Sequence, residues 1–131
     1  MTRSARVRDF MSTDLVTVAP EMDIHSAIKI LLKREISGAP VIDGKGDLVG
    51  ILSIKDCLKI AYSVSYHKER GGPVSEFMSS DVQTIEADTD IVEAAEMFLK
   101  IRYRRFPVMS EDRLVGLISR YDILKALQEL W

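Results

Sequence analysis

Apolar residues at Ile24, Ala27, Ile28, Leu31 and Leu32 follow the i, i+3, i+4, i+7, i+8 spacing of one helix face. Ile91, Ala94, Ala95, Phe98 and Leu99 repeat that spacing. Each stripe predicts an amphipathic helix with its apolar side on a core. Asp23 and Asp90 stand just before the stripes and suit N-caps, and Glu93 completes a capping-box pattern with Asp90. Short β-prone runs precede both helices, at Leu15-Val16-Thr17-Val18 and Val82-Gln83-Thr84-Ile85. Two further strands follow each helix. Ala39-Pro40-Val41-Ile42 and 48–52 flank the turn Asp43-Gly44-Lys45-Gly46-Asp47, which predicts a hairpin. Phe106-Pro107-Val108-Met109 and 114–118 flank Ser110-Glu111-Asp112-Arg113 in the same way. Pro40 and Pro107 cannot donate to a ladder, which predicts a strand start at each. Closing helices run from about 54 to 66 and from about 120 to the C-terminus. The pattern reads strand, helix, strand, strand, helix, twice.

The two halves are copies. Residues 7–61 align with 74–127 after one gap at Gly46, with 20 identities in 54 columns. Ordinary residue usage gives roughly three such identities by chance. Phe10-Met11-Ser12-Thr13-Asp14 returns as Phe77-Met78-Ser79-Ser80-Asp81. Leu48-Val49-Gly50 returns as Leu114-Val115-Gly116, followed by Ser53 and Asp56 in one copy and Ser119 and Asp122 in the other. A repeat this short cannot bury its apolar side alone, so the copies are expected to form one compact module. We divide it at Gly71-Gly72-Pro73: residues 1–72 hold the first repeat (core 7–66) and 73–131 the second (core 74–127).

Charge and cysteine usage narrow the function. Eighteen basic and 20 acidic residues leave a net charge of -2, without the basic excess a general nucleic-acid binder needs. One cysteine, Cys57, excludes an internal disulfide and fits a reducing, cytoplasmic setting. No apolar run is long enough to span a bilayer, and no signal-peptide pattern follows the N-terminus. An enzyme would need a nucleophile with its base, paired carboxylates or a metal cluster, and none assembles here. His25 and His67 lack metal-ligand spacing, and Cys57 falls at a helical core position. Gly44-Lys45-Gly46 is a hairpin turn rather than a phosphate loop.

The doubled strand-helix-strand-strand-helix unit, with paired Ala-Pro-Val and Phe-Pro-Val strands, Leu-Val-Gly strands and Ser-x-x-Asp turns, resembles the cystathionine-β-synthase (CBS) domain pair, or Bateman module. The resemblance covers about 7–127. It implies an α+β fold of two β-α-β-β-α repeats related by pseudo-twofold symmetry. It also implies a regulatory module without catalysis, binding an adenosine-containing ligand (AMP, ADP, ATP or S-adenosylmethionine) in clefts between the repeats. A homodimer and a regulated partner protein are implied as well. A dimerisation scaffold that binds no ligand is the alternative.

Ser-x-x-Asp before an apolar run is by itself a capping box. The ligand role does not conflict with it. A helix N-terminus offers free N–H groups to a phosphate, and a carboxylate beside it can accept from ribose hydroxyls. The family places its ribose-binding Asp at the positions of Asp56 and Asp122, and the phosphate-side hydroxyl at Ser53 and Ser119. The resemblance then implies two residue sets. Cleft one takes Ser53, Lys55 and Asp56 with Arg104, Arg105, Phe106 and Pro107, and with Gln83 near the adenine. Cleft two takes Ser119, Arg120 and Asp122 with Ser37, Gly38, Ala39 and Pro40, and with Val16 near the adenine. Arg104, Arg105 and Lys55 make cleft one the more cationic, so it is expected to take phosphates. The competing reading makes Arg102, Arg104 and Arg105 a solvated basic patch. Tyr62, Tyr66, His67, Lys68 and Arg70 extend the first closing helix and could cover a cleft or touch a partner. Ile123, Leu124, Leu127, Leu130 and Trp131 line one side of the last helix, more apolar surface than a core requires, which points to a subunit contact.

Overall fold

A computed structural model describes residues 5–67, 71–101 and 104–131. Arg102, Lys68 and Arg70, named above, lie outside the described residues. In chain order the elements are α1 (Val7–Phe10), α2 (Ile24–Arg34), β1 (Gly38–Ile42), β2 (Leu48–Ser53), α3 (Ile54–His67), a 3-10 turn (Val74–Glu76), β3 (Ile85–Glu86), α4 (Ile91–Lys100), β4 (Arg105–Ser110), β5 (Arg113–Ser119) and α5 (Arg120–Glu129). The expected helices and hairpins are present. The two Asp N-caps form: the Asp23 carboxylate accepts from His25 N–H, and Asp90 accepts from Val92 N–H and Glu93 N–H. In the first hairpin turn Asp43 Oδ1 accepts from the N–H groups of Lys45 and Asp47, and Gly46 adopts a φ of 85°.

The chain packs as two units, and they are not the two sequence copies. One unit joins the N-terminal segment through Leu15 to Gln83–Trp131; the other is Val16–Val82. Each copy's opening segment is therefore built into the unit of the other copy. Val7 is fully buried in a core with Ile91, Phe106, Val108 and Ile118. Val74 is fully buried with Ile24, Leu31, Val41 and Leu52. The hydrogen bonds agree. Ser12 N–H donates to Leu117 O at 2.8 Å, and Leu117 N–H donates back to Ser12 O at 2.9 Å. Ile51 and Ser79 exchange the same pair of bonds, each 2.9 Å. Arg8 Nε also meets Asp88 Oδ1 at 2.7 Å.

Glycine makes these crossings possible. A Cβ on Gly50 would lie 2.5 Å from Met78 Sδ and 2.9 Å from Ser79 O. One on Gly116 would lie 2.7 Å from Met11 Sδ and 2.8 Å from Ser12 O. The Leu-Val-Gly strands thus carry glycine where an opening segment crosses them.

The leading strand of each copy is shorter than the sequence suggests, for a reason the prolines supply. Residues 15–18 form only a bridge, Val18↔Val41, and 82–85 only the two-residue β3. Pro40 and Pro107 are not at strand starts; each is the third residue of its strand. Val18 N–H donates to Pro40 O at 3.0 Å, and Ile42 N–H donates to Val18 O at 2.9 Å. The next rung in this parallel ladder would need an N–H on Pro40 reaching Val16 O, and proline has none. Pairing stops there. In the second copy Ile85↔Val108 and Glu86↔Met109 pair in parallel, and the rung toward Gln83 falls on Pro107. No described helix is long and apolar enough to cross a membrane.

Candidate functional site

Each hairpin ends where its closing helix begins, which puts the Ser-x-x-Asp turn beside the start of the hairpin's first strand. In the unit Val16–Val82, Gly38 pairs with Ser53, and Ile54 N–H donates to Ser37 O at 2.8 Å. In the other unit, Arg105 pairs with Ser119, and Arg120 N–H donates to Arg104 O at 3.2 Å. The same hairpin register places Val16 and Gln83 just past the rung that Pro40 and Pro107 abolish. Their backbone groups sit at a ladder end rather than inside a sheet.

Both turns are capping boxes. Ser53 N–H donates to Asp56 Oδ2 at 3.0 Å, and Asp56 N–H donates to Ser53 Oγ at 3.0 Å. Ser119 N–H donates to Asp122 Oδ2 at 2.9 Å, and Asp122 N–H donates to Ser119 Oγ at 3.2 Å. The Ser119 hydroxyl also donates to Asp122 Oδ2 at 2.9 Å. Capping uses one oxygen of each carboxylate. Oδ1 of Asp56 and of Asp122 takes no hydrogen bond from a described residue. The half-buried Asp side chains keep an acceptor to offer.

The side chains named from the sequence divide by exposure. Lys55, Arg104, Arg105, Arg120, Ser37 and Gln83 are exposed, and Val16, Gly38, Ser53 and Ser119 are half-buried. Ala39 and Pro40 are buried, as is Pro107. Phe106 packs in the core. Its ring is fully buried and meets Phe98 edge-on, with centroids 4.7 Å apart. Strand alternation turns Phe106 and Val108 to the core. Arg120 lines a groove with Leu124 and Leu127, where an aliphatic stem can lie along apolar surface. The observed contacts join Gly38 to Ser53 and Ser37 to Ile54, and Arg105 to Ser119 and Arg104 to Arg120, each within one unit. Cys57 is buried, and burial, with a smaller push from the Asp56 charge, raises its thiol above its ordinary range. The exchange of opening segments between the copies is not legible in the local sequence pattern. Its one trace there is the glycine in each Leu-Val-Gly strand.

The CBS domain family matches residues 7–63 and 74–129, and the chain belongs to that family as a tandem pair. Among curated proteins it is 34% identical over 124 residues to an A-adding tRNA nucleotidyltransferase of Aquifex aeolicus, covering 95% of this chain and 14% of that enzyme. It spans between 14% and 44% of the length of three such relatives. Among solved structures it is similar to CBSX2 in complex with AMP, at TM-score 0.79 and 28% identity, covering 95% of this chain and 96% of that one. It is also similar to the CBS domain pair of MJ0100 in complex with 5'-methylthioadenosine and S-adenosyl-L-methionine, at TM-score 0.77 and 27% identity, covering 97% and 98%.

Proposed function

We propose that this CBS pair is a regulatory module that binds an adenosine-containing ligand (AMP, ADP, ATP or S-adenosylmethionine) and catalyses no reaction of its own. One observation carries the reading: pairs similar over nearly the whole chain hold AMP in one case and S-adenosylmethionine with methylthioadenosine in another. The local chemistry supports it. Asp56 and Asp122 each keep a carboxylate oxygen for ribose hydroxyls after capping. Lys55, Arg104 and Arg105 supply exposed cations for phosphate, which favours a phosphorylated ligand at the first residue set. The residue sets are Ser53, Lys55, Asp56, Gln83 and 104–107, and Val16, 37–40, Ser119, Arg120 and Asp122. Two copies pair as a homodimer. A regulated protein reads the ligand through the ligand's differential affinity for two arrangements of the pair.

Thermal unfolding with AMP, ADP, ATP and S-adenosylmethionine tests this. A specific ligand at a hundred times its Kd adds about 2.7 kcal/mol of stability. No shift with any of the four at millimolar concentration would leave the scaffold reading in its place. Asp56→Ala with Arg105→Ala is expected to abolish binding of the phosphorylated ligand at the first set. Unchanged total affinity in that protein overturns the assignment of sets.

A further inference from the structure

Two methionines hold matching places in the exchanged opening segments, or arms. Met11 N–H donates to Val7 O at 3.0 Å, and Met78 N–H donates to Val74 O at 2.9 Å. Each methionine thus stands one turn after a fully buried valine. Each also directly precedes the serine that exchanges two backbone bonds with a strand, Ser12 with Leu117 and Ser79 with Ile51. The thioether therefore sits between the apolar anchor of its arm and the backbone bonds that hold it down.

Both thioethers fill the same kind of hollow. A Cβ on Gly116 would lie 2.7 Å from Met11 Sδ and 3.0 Å from its Cγ. One on Gly50 would lie 2.5 Å from Met78 Sδ and 2.9 Å from its Cγ. The room left by each glycine is taken by sulfur, a use that suits an unbranched, polarizable side chain. Met11 and Met78 pack against the core of their units and are half-buried rather than sealed from solvent. Oxidation changes what such a side chain can do. A sulfoxide is polar and chiral, and burying its oxygen without a hydrogen-bond donor is unfavourable.

We propose that Met11 and Met78 are a paired oxidation site, through which a peroxide loosens the exchanged arms. Sδ takes one oxygen atom from hydrogen peroxide and is oxidised by two electrons; the peroxide is reduced and leaves as water. The sulfoxide draws the side chain out of the glycine hollow. The bonds at Ser12 and Ser79 lose their apolar cover and open more often. The site works with or without nucleotide.

The full chain is treated with hydrogen peroxide and then with dithiothreitol, which reverses sulfenic acid or disulfide at Cys57 and leaves methionine sulfoxide in place. Peptide mapping by mass spectrometry locates the sulfoxides, and hydrogen exchange followed by NMR reports the amides of Ser12, Leu117, Ile51 and Ser79. Sulfoxide at Met11 and Met78 is expected, with those amides exchanging about tenfold faster. Methionine sulfoxide reductases for both epimers restore the slow rates. A Met11→Leu, Met78→Leu chain keeps its slow rates through the same treatment, because leucine holds the volume and cannot be oxidised. That chain separates the pair from Met22, Met97 and Met109. Should it fail to fold, a Met22→Leu, Met97→Leu, Met109→Leu chain decides by the same readout, since its amides must still speed up on oxidation. Three results overturn the proposal. Met22, Met97 and Met109 are oxidised while Met11 and Met78 remain thioethers; both sulfoxides form and the amides keep their rates; or the Met11→Leu, Met78→Leu chain loses protection as the unsubstituted chain does.

Discussion

Ribose binding, as proposed, gives the capping carboxylates of Asp56 and Asp122 a second task, and the two can be separated. The Ser hydroxyl and one carboxylate oxygen close the helix start; the other oxygen is what a ribose would use. Ser53→Ala removes the hydroxyl that caps Asp56 N–H and is expected to cost about 1 kcal/mol of stability in the ligand-free protein. Asp56→Ala loses the box and the acceptor together. Its ligand affinity falls about tenfold to a hundredfold, the value of hydrogen bonds to a charged group, beyond any loss of stability. Melting curves with and without AMP separate the effects. Equal losses of affinity in Ser53→Ala and Asp56→Ala would reduce the pair to a structural cap. The capping box was legible because its spacing is local. The burial of Phe106 was not: its place beside the strand-start arginines marks a position in the chain, while its orientation follows from strand alternation against Phe98.

At the scale of an element, the helices were legible because their period is intrinsic to the stripe, and their caps lie within three residues of it. The leading strands were not, because their length depends on what another strand can donate. Pro40 and Pro107 end the parallel ladder at Val18 and Ile85, and that limit appears only once the register is known. The same holds for Gly50 and Gly116, which read as ordinary strand glycines until an opening segment crosses them. Gly50→Ala and Gly116→Ala should each destabilise the protein by about 1–3 kcal/mol, the cost of overpacking. The methionine above each could swing aside, but the backbone oxygens of Ser79 and Ser12, at 2.9 Å and 2.8 Å from the added Cβ, cannot without breaking the paired bonds to Ile51 and Leu117. Denaturant unfolding measures the loss. A neutral Gly116→Ala would mean the arm lies elsewhere.

Over the whole molecule, duplication in sequence and division in space do not coincide, and stability should follow the latter. Val7 belongs by sequence to the first copy and by packing to the unit of Gln83–Trp131, where it is fully buried. Its segment is held there by Val7 N–H to Thr89 O, by Arg8 N–H to Ala87 O and by the Arg8–Asp88 ion pair. The guanidinium of Arg8 holds the Asp88 carboxyl below its ordinary range, chiefly by hydrogen bond and then by charge. That contribution is present above the ordinary carboxylate pKa and is lost as pH falls through the lowered one, so the arm loosens at acid pH. Both groups are exposed, so the effect is small and salt weakens it further. The apolar anchor is larger. Val7→Ala removes two buried methyl groups and leaves a cavity, at about 2–3 kcal/mol. Native-state hydrogen exchange locates the loss, because local openings report the unit that has been weakened. Amides of Gln83–Trp131 should exchange faster in Val7→Ala, while those of Val16–Val82 keep their protection. The mirror variant Val74→Ala should weaken Val16–Val82 instead, since Val74 is buried with Ile24 and Leu31. Loss confined to residues 16–66 in Val7→Ala would mean that each copy folds on its own opening segment, and the exchanged arms would be wrong.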